Sequence, residues 1–148
     1  MKKHTFFISF ICMVYFLFMP ESVKSETLEP CPDSPNCVSS LSQTDAHAIA
    51  PFSFSGNAEE AWQTLISLLQ DQKRTAITEQ SDQYLHAEVS SLIFRFVDDI
   101  EFLLLPDEHL IHLRSASRTG YSDFGVNRKR VEQLREAFVK ASSGARNE

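Results

Sequence analysis

The residues best suited to binding a ligand are concentrated in the stretch 112–130, HLRSASRTGYSDFGVNRKR. From residue 114 to residue 130 it has five basic side chains and a single acidic one, Asp123. Guanidinium groups bind anions through paired, charge-assisted hydrogen bonds, and glycines such as Gly120 and Gly125 let backbone N–H groups approach a ligand. The composition therefore predicts an anion-binding site for an anionic small molecule, a lipid headgroup or a cell-wall component. Its candidate residues are Arg114, Ser115, Ser117, Arg118, Arg128 and Arg130.

The same arginines have a second interpretation, because the chain also offers carboxylates as internal partners. Three of these precede the basic stretch in the segment FVDDIE, and arginine suits two-pronged pairing with carboxylates. The cluster would then be a structural network that holds a loop for a partner protein. The pairs would be Arg114 with Glu101, Arg118 with Asp99, and Arg128 or Arg130 with Asp98 or Asp123.

A metal-dependent hydrolase that uses Asp98, Asp99 and Glu101 is the third hypothesis. Neighbouring residues on a strand point to opposite faces, so only Asp99 and Glu101 would lie together. No histidine pair has the spacing of metal ligands, and the chain has no cofactor motif. The sequence therefore predicts no catalytic residue, no cofactor and no metal, and favours a binding function.

The N-terminal segment predicts export. Lys2 and Lys3 precede the uncharged run 5–19 (TFFISFICMVYFLFM), and Val23 and Ser25 stand before a cleavage point at Glu26. This order is typical of a signal peptide over residues 1–25. A retained anchor is the alternative, although a spanning helix needs about 20 apolar residues. We expect a periplasmic protein without a stable membrane span after cleavage, with secretion or anchoring as alternatives.

Removal of the leader changes the charge balance. The whole chain has a net charge of -6, and the leader contains three lysines and one glutamate, which leaves 11 basic and 19 acidic residues and a net charge of -8. General binding to nucleic acid or to an acidic membrane is not expected for so acidic a protein.

Two cysteines, Cys31 and Cys37, remain after the leader takes Cys12. An even pair in an exported protein predicts a disulfide. Closing so short a ring stabilises the fold by about 2 kcal/mol in the chain-entropy model. Half of a zinc site is the alternative, but no second pair of ligands follows at a suitable spacing.

Helical and strand patterns begin after residue 50. Residues 51–55 alternate like a short strand. Asn57 is typical of an N-cap with Glu60 at the third helical position, and apolar residues then recur at helical spacing to about Gln72. A second amphipathic helix is predicted from about Asn127 to a point before Gly144. The strands between the two helices are predicted at 74–79, 84–90, 100–105 and 110–117.

The last two strands define a register. If Leu105 lies opposite Leu110, then Glu101 lies opposite Arg114, and opposite charges across strands support that pairing. The order β-α-β-β-β-β-α predicts an α+β domain of two layers, an antiparallel sheet packed by two helices. The predicted divisions are an extended segment 26–50 with the Cys31–Cys37 loop, the domain 51–143 and a disordered tail 144–148.

Three separated motifs resemble those of a known family. CPDSPNCVSS, FRFVDDIEF and LRSASRTGYSDFGVNRKRVEQL are similar, in this order, to the domain-of-unknown-function family 1499 over residues 31–138. The family is known mostly from bacteria and plastid-bearing organisms, often behind a signal peptide or anchor. The resemblance implies that the polar residues of these motifs matter, and it brings no established activity, ligand or partner with it.

Overall fold

The polar residues are carried by a sheet and by the start of a long helix. The computed structural model describes residues 27–92 and 95–144, so the predicted leader 1–25 and the tail after Gly144 lie outside the described residues. The elements are β1 (Cys37–Ser39), β2 (Phe52–Ser53), α1 (Ala58–Gln70), β3 (Thr75–Gln80), β4 (Tyr84–Ser90), β5 (Val97–Leu105), β6 (Leu110–Ser117) and α2 (Val126–Gly144).

The six strands form one antiparallel sheet in the order β1-β6-β5-β4-β3, and β2 also pairs with β6. With the two helices this confirms the predicted α+β fold. Strand β1 was not predicted, because the segment 26–50 was expected only to be extended. The sequence signal for β1 is weak, since three residues are too few for a clear alternation and their partners lie in β6, far along the chain.

The predicted register of β5 and β6 is confirmed. Leu105 lies opposite Leu110 and Glu101 lies opposite Arg114. Strand β5 begins at Val97, three residues before the predicted start. The reason is that Asp98 occupies a buried position of the strand, where a charged residue interrupts the apolar pattern.

Both helices pack on one face of the sheet. The side chain of Asn57 accepts a hydrogen bond from the backbone N–H of Glu60 at 3.1 Å, so α1 is capped as predicted, although it ends at Gln70 rather than Gln72. The core lies between the helices and this face, and it is formed chiefly by Trp62, Leu65, Phe102, Leu113, Leu134 and Phe138. The opposite face, which we call the polar face, carries His86, Asp99, Glu101 and Arg114.

Neither helix resembles a transmembrane segment. Within residues 27–92 and 95–144, no helix is both long enough and apolar enough to cross a membrane.

Candidate functional site

The sheet divides the arginines of the predicted anion site into two groups. Successive side chains of a strand point to opposite faces. Ser115 is fully buried on the face covered by the helices, so its neighbour Arg114 lies on the polar face. Arg118 follows the end of β6 and bonds to residues of that same polar face. Arg128 and Arg130 instead lie in the first two turns of α2. The four arginines therefore do not converge on one point.

Arg114 is paired across the sheet. Its Nη1 donates to Oε2 of Glu101 at 3.0 Å, and the hydroxyl of Tyr84 donates to the other carboxylate oxygen at 2.8 Å. The register set by β5 and β6 brings the first pair together, and β4 adds the tyrosine. Both members of the ion pair are largely buried, with 16% and 12% of their side chains exposed.

Arg118 holds a second polar group on the same face. Its Nε and Nη2 donate to the two oxygens of Asp99 at 2.8 Å and 2.7 Å, and Nη2 also contacts Glu88. Nε2 of His86 lies 2.7 Å from Asp99, and Nδ1 of His86 lies 2.8 Å from the hydroxyl of Thr78. Partial burial favours a raised pKa for Asp99, but the hydrogen bonds and charges of Arg118 and His86 outweigh it and lower that pKa.

Under α2, a fully buried asparagine connects four parts of the fold. Oδ1 of Asn127 accepts hydrogen bonds from the hydroxyl of Ser115 and from Nη1 of Arg130. Its Nδ2 donates to the backbone oxygen of Asn36 at 3.3 Å, to the hydroxyl of Ser117 at 3.0 Å and to Asp123 at 2.9 Å. We call Asn127 and these five partners the asparagine hub. It joins β6, α2, the segment before β1 and the loop before α2.

The two arginines of α2 are also engaged. Arg130 forms an ion pair with Asp98, and their side chains are 15% and 10% exposed. Arg128 donates to the backbone oxygens of Ala48 and Ala46 at 2.8 Å and 3.1 Å. Arg128 therefore ties the helix to the segment before β2, while Arg130 ties it to β5.

Asp123 acts as the cap of α2. Its Oδ1 accepts from the backbone N–H of Gly125 and its Oδ2 accepts from the backbone N–H of Asn127, both at 2.9 Å. Burial favours a raised pKa for Asp123, but the hydrogen bonds from Asn127 and Gly125 outweigh it and lower that pKa. Since the folded state favours the carboxylate, Asp123 stabilises the fold above the ordinary carboxyl pKa, and this contribution is lost as the pH falls through the lowered value.

The disulfide between Cys31 and Cys37 is present, as predicted. The ring that it closes contains Asn36, which is buried. Nδ2 of Asn36 donates to the backbone oxygen of Gly120 at 2.7 Å and to that of Ser117 at 3.4 Å. The disulfide loop is therefore linked directly to the loop between β6 and α2.

That loop, residues 118–125, presents two aromatic side chains to solvent, and we call it the aromatic loop. Tyr121 is 76% exposed and Phe124 is 96% exposed. The backbone N–H of Arg118 donates to the oxygen of Val97 at 3.1 Å, so the aromatic loop starts beside the connection that leads into β5. Phe96 in that connection is 54% exposed. We call the aromatic loop, the disulfide loop and the described residues of this connection together the aromatic end.

The carboxylates of the hydrolase hypothesis are separated as well. Asp98 lies under α2 with Arg130, whereas Asp99 and Glu101 lie on the polar face with Arg118 and Arg114. Among the residues that the structure describes, no three side chains of histidine, cysteine, aspartate or glutamate are placed to hold a metal ion.

Sequence reasoning named the arginines and carboxylates but gave no role to several of their partners. Asn127 was predicted only as the start of a helix, and Asn36 was assigned no role. Each of the two residues nevertheless lies in one of the motifs that resemble the family. Glu88 and His86 gave no local signal, because they reach Arg118 and Asp99 only when the strands pair.

The chain is thus an α+β domain in which arginine–carboxylate pairs and buried asparagines tie the loops to the sheet. The sequence profile of a family described as "Protein of unknown function (DUF1499)" matches residues 27–138, and the chain belongs to this family. A comparison with curated proteins found no match.

Proposed function

We propose that this protein is a non-enzymatic interaction domain of the cell envelope. The arginine–carboxylate pairs and the asparagine hub, together called the polar cluster, are structural, and the aromatic end contacts the partner. One observation carries the proposal. The arginines of the predicted anion site are already engaged within the fold, while Tyr121 and Phe124 of the aromatic loop are exposed to solvent.

An anionic ligand would have to compete with these internal partners. Arg114 and Arg130 form largely buried ion pairs, and Arg118 bonds to two carboxylates. A ligand that displaced a buried carboxylate would leave that carboxylate without a compensating charge, which is costly in a poorly solvated site. The geometry therefore supports a structural role for the arginines over direct anion binding.

The polar cluster fixes the aromatic loop at both ends. Asn36 holds Gly120 near its start, and Asp123 caps α2 at its end. Holding a contact loop in one conformation reduces the entropy that is lost on binding. Aromatic side chains are enriched at protein contacts and at membrane interfaces, since they bring a large apolar surface with few rotatable bonds. Tyr121 and Phe124 meet this description.

Export is part of the proposal. The apolar run 5–19 behind Lys2 and Lys3 supports a signal peptide. The Cys31–Cys37 disulfide supports an oxidising compartment, because cytosolic thiols are kept reduced. The periplasm is the location that agrees with both features.

A crosslinking experiment in intact exporting cells tests the proposal. A photoreactive phenylalanine derivative at position 124 should form an adduct with an envelope component, because Phe124 is almost fully exposed on the fixed loop. Position 139 is the matched control, since Val139 is 54% exposed but lies on α2 beyond its first turns. Adducts that are equal at the two positions, or absent at both, would refute an interaction function for the aromatic end.

Anion binding remains the second candidate because of one atom. Nε of Arg114 is buried and has no hydrogen-bond partner among the described residues. In a thermal-shift series with phosphate and sulfate, compared with sodium chloride at equal ionic strength, we expect the melting temperature to change by less than about 1 °C. A saturable rise that is lost in Arg114→Ala and Arg118→Ala would instead support an anion site and overturn the structural role of the arginines.

A further inference from the structure

We infer that the surface on which the aromatic end docks is the interfacial layer of a phospholipid bilayer, with Phe96, Tyr121 and Phe124 inserted among the headgroups. This inference rests on the proposed function and names the partner of that same surface. Three observations support it: the protrusion of apolar side chains from the aromatic end, the local charge of that end, and the short spacer between the domain and the predicted leader.

The apolar side chains protrude from two separate loops. Leu92 is 73% exposed in the connection before β5, which also carries Phe96, and Phe124 is 96% exposed in the aromatic loop. Protruding Phe, Tyr and Leu side chains suit a fluid interface, because they can be buried there without a preformed partner pocket. Tyrosine also suits headgroup depth, since its ring is apolar and its hydroxyl stays hydrated.

The aromatic loop presents Phe124 at a conformational cost. Phe124 has a positive φ of 54°, in the left-handed region that bulky residues rarely adopt. Its side chain contributes nothing to the core, so the cost is not offset by burial within the domain. The strained backbone is held by Asp123, which immediately precedes Phe124 and caps α2, and it fits a side chain that is needed outside the fold.

The charge of the aromatic end differs from that of the rest of the protein. Within the aromatic end, Arg95 and Arg118 are balanced by Asp33 and Asp123, whereas the chain from residue 26 onward has a net charge of -8. An anionic phospholipid surface repels this neutral end less than it repels the acidic remainder of the protein.

Arg95 is placed to contact a headgroup. It adjoins Phe96 and is exposed, and no carboxylate pairs with it among the described residues. A guanidinium beside an inserted aromatic ring can bond to a lipid phosphate while the ring enters the interface.

The predicted leader lies close in sequence to the disulfide loop. The disulfide ties Cys31 to Cys37 at the start of β1, beside the aromatic loop. Residues 20–26 separate the apolar run 5–19 from Thr27, and seven residues can span at most about 25 Å. Until the leader is cleaved, export therefore holds the domain close to the membrane surface.

Vesicle flotation of the leader-free protein, purified from exporting cells, tests this inference. Binding to zwitterionic phosphatidylcholine vesicles should be measurable and nearly independent of salt, because apolar burial rather than charge drives it. Phe96→Ala and Phe124→Ala should each lower the partition coefficient about five- to tenfold, and Val139→Ala should leave it unchanged. Phe124 and Val139 are exposed, so the melting temperatures of Phe124→Ala and Val139→Ala should match the wild type, and that of Phe96→Ala is measured beside them.

Insertion itself has a direct optical readout. Trp62, the chain's single tryptophan, is buried, so Phe124→Trp adds one reporter at the aromatic loop. Its emission should shift to the blue with vesicles and be quenched by lipids brominated on the acyl chains. The membrane inference would be overturned if the wild type did not partition, or if Phe96→Ala and Phe124→Ala both partitioned as strongly as the wild type. A protein adduct at position 124 without vesicle binding would also overturn it, while leaving the proposed interaction function standing.

Discussion

Replacing Asn127 by alanine should lower the free energy of unfolding by about 3 kcal/mol, although alanine is the better helix former. The side chain is fully buried and has five hydrogen-bond partners. Removing it leaves buried donors and acceptors unsatisfied at the junction of β6, α2 and the disulfide loop, and each such group costs about 1–3 kcal/mol. Urea denaturation, followed by the fluorescence of Trp62, measures the loss.

Gln133→Ala is the matched control for that variant. Gln133 also carries a side-chain amide on α2, but it is exposed. We expect this change to alter stability by less than about 0.5 kcal/mol, as is usual for surface substitutions. If Asn127→Ala were no more destabilising than Gln133→Ala, the asparagine hub would not be an important stabilising element of the fold.

Replacing Arg130 by methionine should cost about 3 kcal/mol, because it leaves Asp98 buried without its counter-charge. Asp98 is 7% exposed and lies on the face of β5 that α2 covers. Breaking a buried pair by removing one member costs about 3–5 kcal/mol in general, whereas an apolar replacement of both members is often neutral. The double variant Asp98→Leu with Arg130→Met should therefore recover at least half of the loss.

Lys129→Met provides the comparison within the same helical turn. Lys129 is exposed, so its replacement should change the free energy of unfolding by less than about 0.5 kcal/mol. A double variant that is less stable than Arg130→Met alone would show that Asp98 stabilises the fold through contacts other than the ion pair. The same denaturation measurement serves all three proteins.

These two substitutions bear on function through the aromatic loop. Asn127 bonds to Asp123, and Asp123 caps the helix that follows the loop. Loss of the asparagine hub should therefore loosen the presentation of Tyr121 and Phe124, while the exposed residues themselves contribute little to stability. Mutations in the asparagine hub should therefore change mainly the stability of the fold. Mutations of Tyr121 or Phe124 should change mainly the binding of the partner.

The sequence by itself was sufficient for the fold class and for the pairing of the central strands. Period-two alternation and the charge match of Glu101 with Arg114 determine the register of β5 and β6, because a shift of one residue would turn the apolar set toward solvent. The capping pattern at Asn57 and Glu60 and the cysteine spacing are equally local signals. Three ordered motifs were enough to place the chain in its family.

Only the tertiary structure decided what the basic stretch does. Arg114 and Ser115 are adjacent in sequence, yet the pleat sends them to opposite faces of the sheet, so a cluster that is continuous in sequence becomes two separate networks in space. Asn127 reaches Asn36 across 91 residues, a contact without local pattern because it depends on the packing of α2 against β6 and β1. Periodicity identifies the face to which a side chain points, whereas its partners are determined by packing between distant segments.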